Sequence, residues 1–285
     1  MDESLTGAAR AKVNLVLEVL GKRDDGYHEI DTILQGIELA DVVTAGPSTE
    51  WSITVSGPRS AGTPADDSNL AMRAARLLSA RLGKGPVAIT LEKHIPAAGG
   101  VGGGASDAAA VLNLLHGCWA ESTWEDLETV ANEIGSDEAF FLVGGTARAQ
   151  GRGERVTVLP NLPPHDVVLF IPRETIERKT ARMFAAIDQH GFDDGAVARD
   201  FVERPPEVVR SAVVFNAFER VAFDLFPWLA ELWADLEERT RMPVRLCGAG
   251  PCLFWIGREG EGEYIAKRAE GANCEVILTR TVARE

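Results

Sequence analysis

Five glycines fall within six positions of the stretch from Ile95 to Leu112, and an alanine-rich run follows them directly. Glycine takes positive φ and has no Cβ, so Gly99, Gly100, Gly102, Gly103 and Gly104 let the backbone curl around an anion. A helix starting near Ala105 adds unpaired N–H groups and about half a positive charge at its first turn. That is phosphate chemistry done by backbone. Ser106 and Asp107 fall in the first turn. Ser106 offers a hydroxyl to a phosphate or to Mg²⁺, and Asp107 suits the helix dipole or reaches a metal. The stretch is not a Walker A loop, because no Gly-Lys-Ser/Thr follows, and it lacks the G-x-G-x-x-G spacing of dinucleotide sites. A plain turn feeding a close-packed helix is the alternative, and the glycine density at a helix start weighs against it.

Lys12 and Asn14 stand two apart on a predicted strand, so they share a face about 7 Å apart. Lys12 interrupts an apolar run, which suits a functional lysine as well as an exposed face. Asp137, in Gly135-Ser-Asp-Glu-Ala-Phe-Phe141, is a carboxylate before an apolar run; on this segment alone it reads first as a helix cap. Tyr27-His28 fits a stacking and hydrogen-bonding pair or an ordinary edge-strand pair. His94 flanks the glycines, and His116, His165 and His190 read as surface or half-buried residues. Cys118, Cys247, Cys252 and Cys274 form no C-x-x-C pair and read as buried free thiols in a reducing compartment.

These residues need elements to carry them. Val13, Leu15, Leu17 and Val19 alternate with Lys12, Asn14, Val16 and Glu18, the period of a half-buried strand over 11–20. A polar turn at 21–26 leads to a second extended stretch from Ile30 to Leu39, and 51–55 alternates again. Helical spacing runs from Asn69 to Leu82, capped at Asp67 or Ser68 and stopped by Gly83. Val87–Leu91 is a strand. Ser122-Thr-Trp-Glu125 reads as a capping box for a helix ending near Gly135. Thr146–Gln150 and Arg155–Leu159 form a hairpin. After the Pro-rich linker 159–164 come a strand (167–171), a helix at 180–189, a long predominantly helical region with 215–226 and 229–241, strands at 243–246 and 252–256, a helix at 264–269 and a last strand at 275–281. The mixture is α+β.

The 285 residues allow one large domain or two ordinary ones, and 45% hydrophobic content supports a sizeable core. No apolar run reaches the roughly 18 residues of a spanning helix. Met1-Asp2-Glu3-Ser4 is acidic where a leader would be basic. The expectation is a cytoplasmic protein. A net charge of −14 repels nucleic acid and anionic lipid, so neither is an expected partner. Any phosphorylated ligand must be held locally.

Together these segments resemble the GHMP kinases. Pro96-Ala-Ala-Gly-Gly-Val-Gly-Gly-Gly-Ala-Ser-Asp is similar to their phosphate loop. Ala11-Lys-Val-Asn-Leu with Gly21-Lys-Arg-Asp-Asp-Gly-Tyr-His28 resembles the branch acting on 4-diphosphocytidyl-2-C-methyl-D-erythritol, as do Gly144–Glu154 and Cys247-Gly-Ala-Gly-Pro-Cys-Leu-Phe254. The resemblance implies the two-lobed GHMP kinase fold. Residues 1–160 would form a ribosomal protein S5 domain 2-like lobe and 161–285 a ferredoxin-like lobe, with the last strand a candidate to return to the first. It implies ATP and Mg²⁺, a small-molecule alcohol as acceptor, and a monomer or homodimer.

By the same resemblance, Lys12 and Asp137 are catalytic. Pro96, Ala97, Ala98, Gly99, Gly100, Val101, Gly102, Gly103, Gly104, Ala105 and Ser106 hold ATP, with Asn69 and Lys93 near the adenosine and Ser106 on the metal. Asn14, Tyr27, His28 and Phe184 contact the cytidine substrate. The chain departs from the family pattern at Ala105, Glu138, Cys247 and Ala249. A GHMP kinase for another small alcohol, or a silent nucleotide-binding relative, are the other readings.

Overall fold

The computed structural model describes residues 4–174, 176 and 178–284. Met1, Asp2 and Glu3, on which the reading of the first residues rests, lie outside them. The chain divides into two compact units, and neither is a contiguous stretch. One comprises Met1–Ala11, Leu39–Ala97 and Gly102–Gly144; the other comprises Lys12–Glu38, Ala98–Val101 and Gly145–Glu285. Two long strands, β1 (Leu5–Lys22) and β2 (His28–Pro47), contribute to both.

β1 departs from its sequence pattern. Every residue from Ala11 to Val19 is buried, Lys12, Asn14 and Glu18 included. Both faces of this stretch are covered, and its polar side chains have partners inside the protein. The alternation marks the two faces, not an inside and a wet outside.

In the first unit follow β3 (Ser52–Ser56), α1 (Leu70–Leu82), β4 (Val87–Glu92), α2 (Gly103–Cys118), α3 (Trp124–Ile134) and α4 (Glu138–Val143). β4 pairs antiparallel with Val42–Pro47 of β2 and parallel with β3. The helices bury Leu78, Val111, Leu112, Leu115 and Val130 in one core with Val43, Ile89 and Leu91. Asn69, not Asp67 or Ser68, caps α1: its Oδ1 accepts the Ala71 N–H at 2.9 Å. Gly83 ends α1 at φ 65°. The capping box of α3 is Thr123 with Asp126, one residue later than the sequence reading, because Ser122 closes a turn onto Trp119. The apolar run 140–143 lies in α4.

The second unit adds the hairpin β5 (Thr146–Gly151) and β6 (Arg155–Val158), then β7 (His165–Pro172), α5 (Lys179–His190) and α6 (Ala196–Glu203). β8 (Phe215–Asn216), α7 (Glu219–Leu225), α8 (Pro227–Thr240), β9 (Arg245–Leu246), β10 (Leu253–Arg258), α9 (Gly262–Arg268) and β11 (Cys274–Arg280) complete it. β5 pairs with Ile30–Gln35 of β2, and β8 runs parallel to Val16 and Leu17 of β1. β11, β7, β10 and β9 form an antiparallel four-stranded sheet in that order. Beyond β11, Thr281 bridges Ile37 of β2. The core joins Val168, Phe170, Met183, Ile187, Leu229, Leu236 and Trp255.

The α+β class is as expected. α6 falls in the stretch expected to be predominantly helical, and the helix expected from Phe215 starts at Glu219 because Phe215 and Asn216 extend along β1. His165 is buried, against expectation: Nδ1–H donates to the Pro163 carbonyl at 2.6 Å, and Nε2 accepts the Val209 N–H at 2.9 Å. All four cysteines are free, but only Cys247 and Cys252 are buried. Among the described residues no helix is long and apolar enough to cross a membrane.

Candidate active site

In the first unit the predicted residues gather around the starts of α1 and α2. α2 begins at Gly103, two residues before the expected point, and its cap Gly102 has φ 82° and no side-chain cap. The helix start therefore keeps its anion-binding character. Ser106 is buried, and its Oγ donates to the Arg10 carbonyl at 2.6 Å. Its proton is committed to β1, so toward any ligand the hydroxyl presents lone pairs. Ala105 adds no hydroxyl. Asn69 uses both ends of its amide, capping α1 and donating to the Pro64 carbonyl at 2.7 Å.

Lys93 is held more tightly than the sequence suggested. Its ammonium bonds the carboxylates of both Asp41 and Asp107. Asp41 also accepts the backbone N–H groups of His94 and Ile95, the latter at 2.8 Å, at the approach to the glycines. Burial pushes the Asp107 carboxyl up to about 7; Lys93 opposes this and Asp41 adds to it. Asp107 Oδ1 is buried with no hydrogen-bond partner among the described residues. Asp41 was missed by sequence reasoning, since nothing near it suggested a partner fifty residues away.

Asp137 precedes α4, half-buried, and its side chain makes no capping hydrogen bond. The capping reading of this segment is therefore not realised. The neighbouring Glu138 is buried and stands over Gly135, where a Cβ would meet its Oε2 at 2.4 Å.

In the second unit Lys12 and Asn14 share a face, as the strand period required. Lys12 Nζ donates to Asn14 Oδ1 at 2.7 Å, and Asn14 Nδ2 donates to Thr32 Oγ1 at 2.8 Å. The Lys12 N–H donates to the Val101 carbonyl at 3.0 Å, which ties the glycine segment to β1. The segment is also moulded on the turn from Cys247 to Cys252. The Cys252 N–H bonds the Gly99 carbonyl at 3.2 Å. Gly100 has φ 86°, and a Cβ there would lie 2.0 Å from the Cys247 carbonyl oxygen. Only glycine fits. A Cβ on Gly248 would lie 3.2 Å from Lys12 Nζ and 3.3 Å from Asn14 Oδ1, so this turn closes over the lysine.

Three residues that sequence reasoning missed hold the turn. Asn216 Nδ2 donates to the carbonyls of Leu246 (2.9 Å) and Gly248 (2.8 Å). Lys179 bonds the Gly250 carbonyl. Glu219 accepts the Leu246 N–H at 3.1 Å and faces Arg245; burial pushes its carboxyl up to about 7 against those two partners. Asn216 did carry a signal: like Lys12, it is polar within an apolar run. Cys247 is fully buried, which pushes its thiol up.

His28 and Phe184 meet, stacked at 4.5 Å between centroids and 19° between planes. His28 Nε2 lies 2.6 Å from Asp188 Oδ1, and Lys22 Nζ donates to Asp188 Oδ2 at 2.6 Å. Lys22, then His28, hold the Asp188 carboxyl below its ordinary range. Tyr27 is exposed, with the Arg152 guanidinium 5.1 Å above its ring. Among the described residues no group of three or more His, Cys, Asp or Glu side chains gathers to hold a metal ion.

Residues 69–145 match the GHMP kinases N terminal domain. The chain is 36% identical over 284 residues to a 4-diphosphocytidyl-2-C-methyl-D-erythritol kinase of Pelotomaculum thermopropionicum, covering 97% of this chain and 98% of the relative. It is 40% identical to one of Mycolicibacterium gilvum, covering 96% and 89%. A crystal structure of a 4-(cytidine 5'-diphospho)-2C-methyl-D-erythritol kinase superimposes with a TM-score of 0.76 at 34% identity, over 97% of this chain and 99% of that one. The homoserine kinase of Cytophaga hutchinsonii shares the fold, with a TM-score of 0.67 at 13% identity over 100% and 96%.

Proposed function

The chain belongs to the 4-diphosphocytidyl-2-C-methyl-D-erythritol kinases, and from that premise we propose that it moves the terminal phosphoryl group of ATP to the substrate's 2-hydroxyl with Lys12 and Asp137 as its catalytic residues. The reaction belongs to isoprenoid precursor biosynthesis. The observation that carries the assignment is the buried Lys12–Asn14 pair under the Gly248 turn. A lysine kept out of water and oriented by a neighbouring amide is preorganised to meet negative charge.

Phosphoryl transfer needs positioning and charge neutralisation more than covalent help. The backbone from Pro96 to Ser106 receives the ATP phosphates, with the α2 N-terminus as its positive end. Asn69 and Lys93 shape the adenosine side. Lys93, committed to two carboxylates, acts by fixing the backbone and not as a mobile cation. Asn14 orients Lys12 and the acceptor alcohol. Asp137 takes the hydroxyl proton late in the transfer, and its work is largely orientation of the acceptor. Tyr27, His28 and Phe184 take the cytosine.

The donors suit Mg²⁺. The lone pairs of Ser106 and the unpartnered Asp107 Oδ1 are hard oxygen ligands, and their small number matches an ion held mainly by phosphates and water. Bound there, Mg²⁺ would neutralise the phosphate charge. The setting we propose is the cytoplasm, as a monomer or homodimer.

The test is ADP release with Mg-ATP, with and without the cytidine substrate. Substrate-dependent turnover is expected. Asp137→Asn should abolish transfer while ATP binding persists; retained turnover would remove Asp137 from the reaction. Turnover with a different alcohol alone would shift the substrate, and ATP binding with no turnover would make the chain a silent relative.

A further inference from the structure

The reading of His28 as the base-facing side chain leaves one question open: which kind of group it faces. A neutral imidazole donates through one nitrogen and accepts through the other, and the two choices select opposite partners. We propose that Asp188, with Lys22 behind it, fixes His28 as an acceptor toward the ligand and so makes the pocket selective for an amino-bearing pyrimidine over an oxo-bearing one. The inference rests on that reading of His28 and adds to it a residue 160 positions away.

The geometry leads there in three steps. Asp188 Oδ1 lies 2.6 Å from His28 Nε2, while its second oxygen receives Lys22 Nζ at 2.6 Å. With an ammonium on one oxygen the carboxylate stays ionised, which agrees with its lowered pKa. An ionised carboxylate only accepts, so Nε2 carries a proton, and in the neutral form of an imidazole so held Nδ1 is the lone pair. The Phe184 face, 4.5 Å from the imidazole and 19° from parallel, fixes the plane in which that lone pair points.

A cytosine-type 4-amino group donates and satisfies this lone pair. A uracil-type 4-oxo group accepts, so two lone pairs oppose each other. His28 is 8% exposed, so water has little room to repair the mismatch. Asp188 is then a positioning residue: it never touches the base, and its effect passes through the tautomer of His28. If the His28–Asp188 contact were only a strut between β2 and α5, its loss would weaken both bases alike.

The experiment is calorimetric titration of the full chain with CDP and with UDP, alongside ATP as a folding control. The wild type should prefer CDP by about tenfold to a hundredfold, the cost of leaving one buried partner unpaired. Asp188→Ala, with ATP affinity unchanged, should cut that preference by about tenfold or more. Asp188→Asn, whose carboxamide oxygen can still accept from Nε2, should restore much of it. An unchanged CDP-to-UDP ratio in Asp188→Ala, while His28→Ala loses the ratio, would overturn the role of Asp188 alone. An unchanged ratio in His28→Ala would instead overturn the reading of His28 on which the proposal stands.

Discussion

Two clusters in this molecule each pair a lysine with an aspartate and differ in their contact with water. Lys93, Asp41 and Asp107 have side chains 5%, 0% and 3% exposed. Lys22, Asp188 and His28 stand at 56%, 24% and 7%. In the first cluster Asp41 spends its other hydrogen bonds on the backbone, holding His94 and Ile95 before the glycine segment. The second leaves one imidazole nitrogen for a ligand. Burial thus decides what the same ion pair is for: out of water it fixes the chain, and half in water it sets a direction at small energetic consequence.

The sharpest way to break this contrast is Lys93→Met. It leaves two buried carboxylates without their cation, and such removals cost about 3–5 kcal/mol. Urea unfolding should show that loss; a change under about 1 kcal/mol would mean that desolvation had cancelled the attraction, and the two clusters would be energetically alike.

Glu219 is the intermediate case, a largely buried carboxyl that faces Arg245 and accepts the Leu246 N–H. Its folded pKa is raised from 4.5 to about 7, chiefly by burial. The folded state therefore binds the proton more readily than the unfolded one. The contribution is full below the unfolded value and is lost as pH rises through the folded value. Glu219→Gln should flatten the stability profile between about pH 4.5 and 7, by on the order of 2–3 kcal/mol across the window. Urea midpoints at half-unit steps would check this, and a variant profile parallel to the wild type would return Glu219 to ordinary titration.

The smallest effect belongs to Lys22→Met. The Lys22–Asp188 pair is largely solvated, so its loss should cost less than about 1 kcal/mol in the same unfolding assay. A loss as large as that of Lys93→Met would erase the distinction.

The sequence carried local information well. Helix periods, Gly83 and Gly135 as stops, the hairpin around 151–153 and the shared face of Lys12 and Asn14 all follow from spacing, because each depends on neighbours a few residues away. The glycine segment announced itself by composition. What stayed hidden depends on distant partners. Glu18 looks solvent-facing until the Ala198 N–H is found on its carboxylate at 2.8 Å. Asp41, Asp188, Asn216 and Glu219 hold site residues from 52, 160, 30 and 27 positions away, and no local pattern encodes such pairings. Asp137 shows the converse: local rules favoured a cap, and the side chain does not make one.

The close passage of Gly100 beneath the Cys247 carbonyl also has a consequence in time. Ala98–Val101 leans on β1, made before it, and on the turn at 247–252, made well after it. Chains emerge amino terminus first. A nascent chain stopped before residue 247 has every glycine of the phosphate loop but not the surface that shapes its first half. The turn at 247–252 thus acts as a completion signal, and nucleotide affinity should arrive only once that turn has been made.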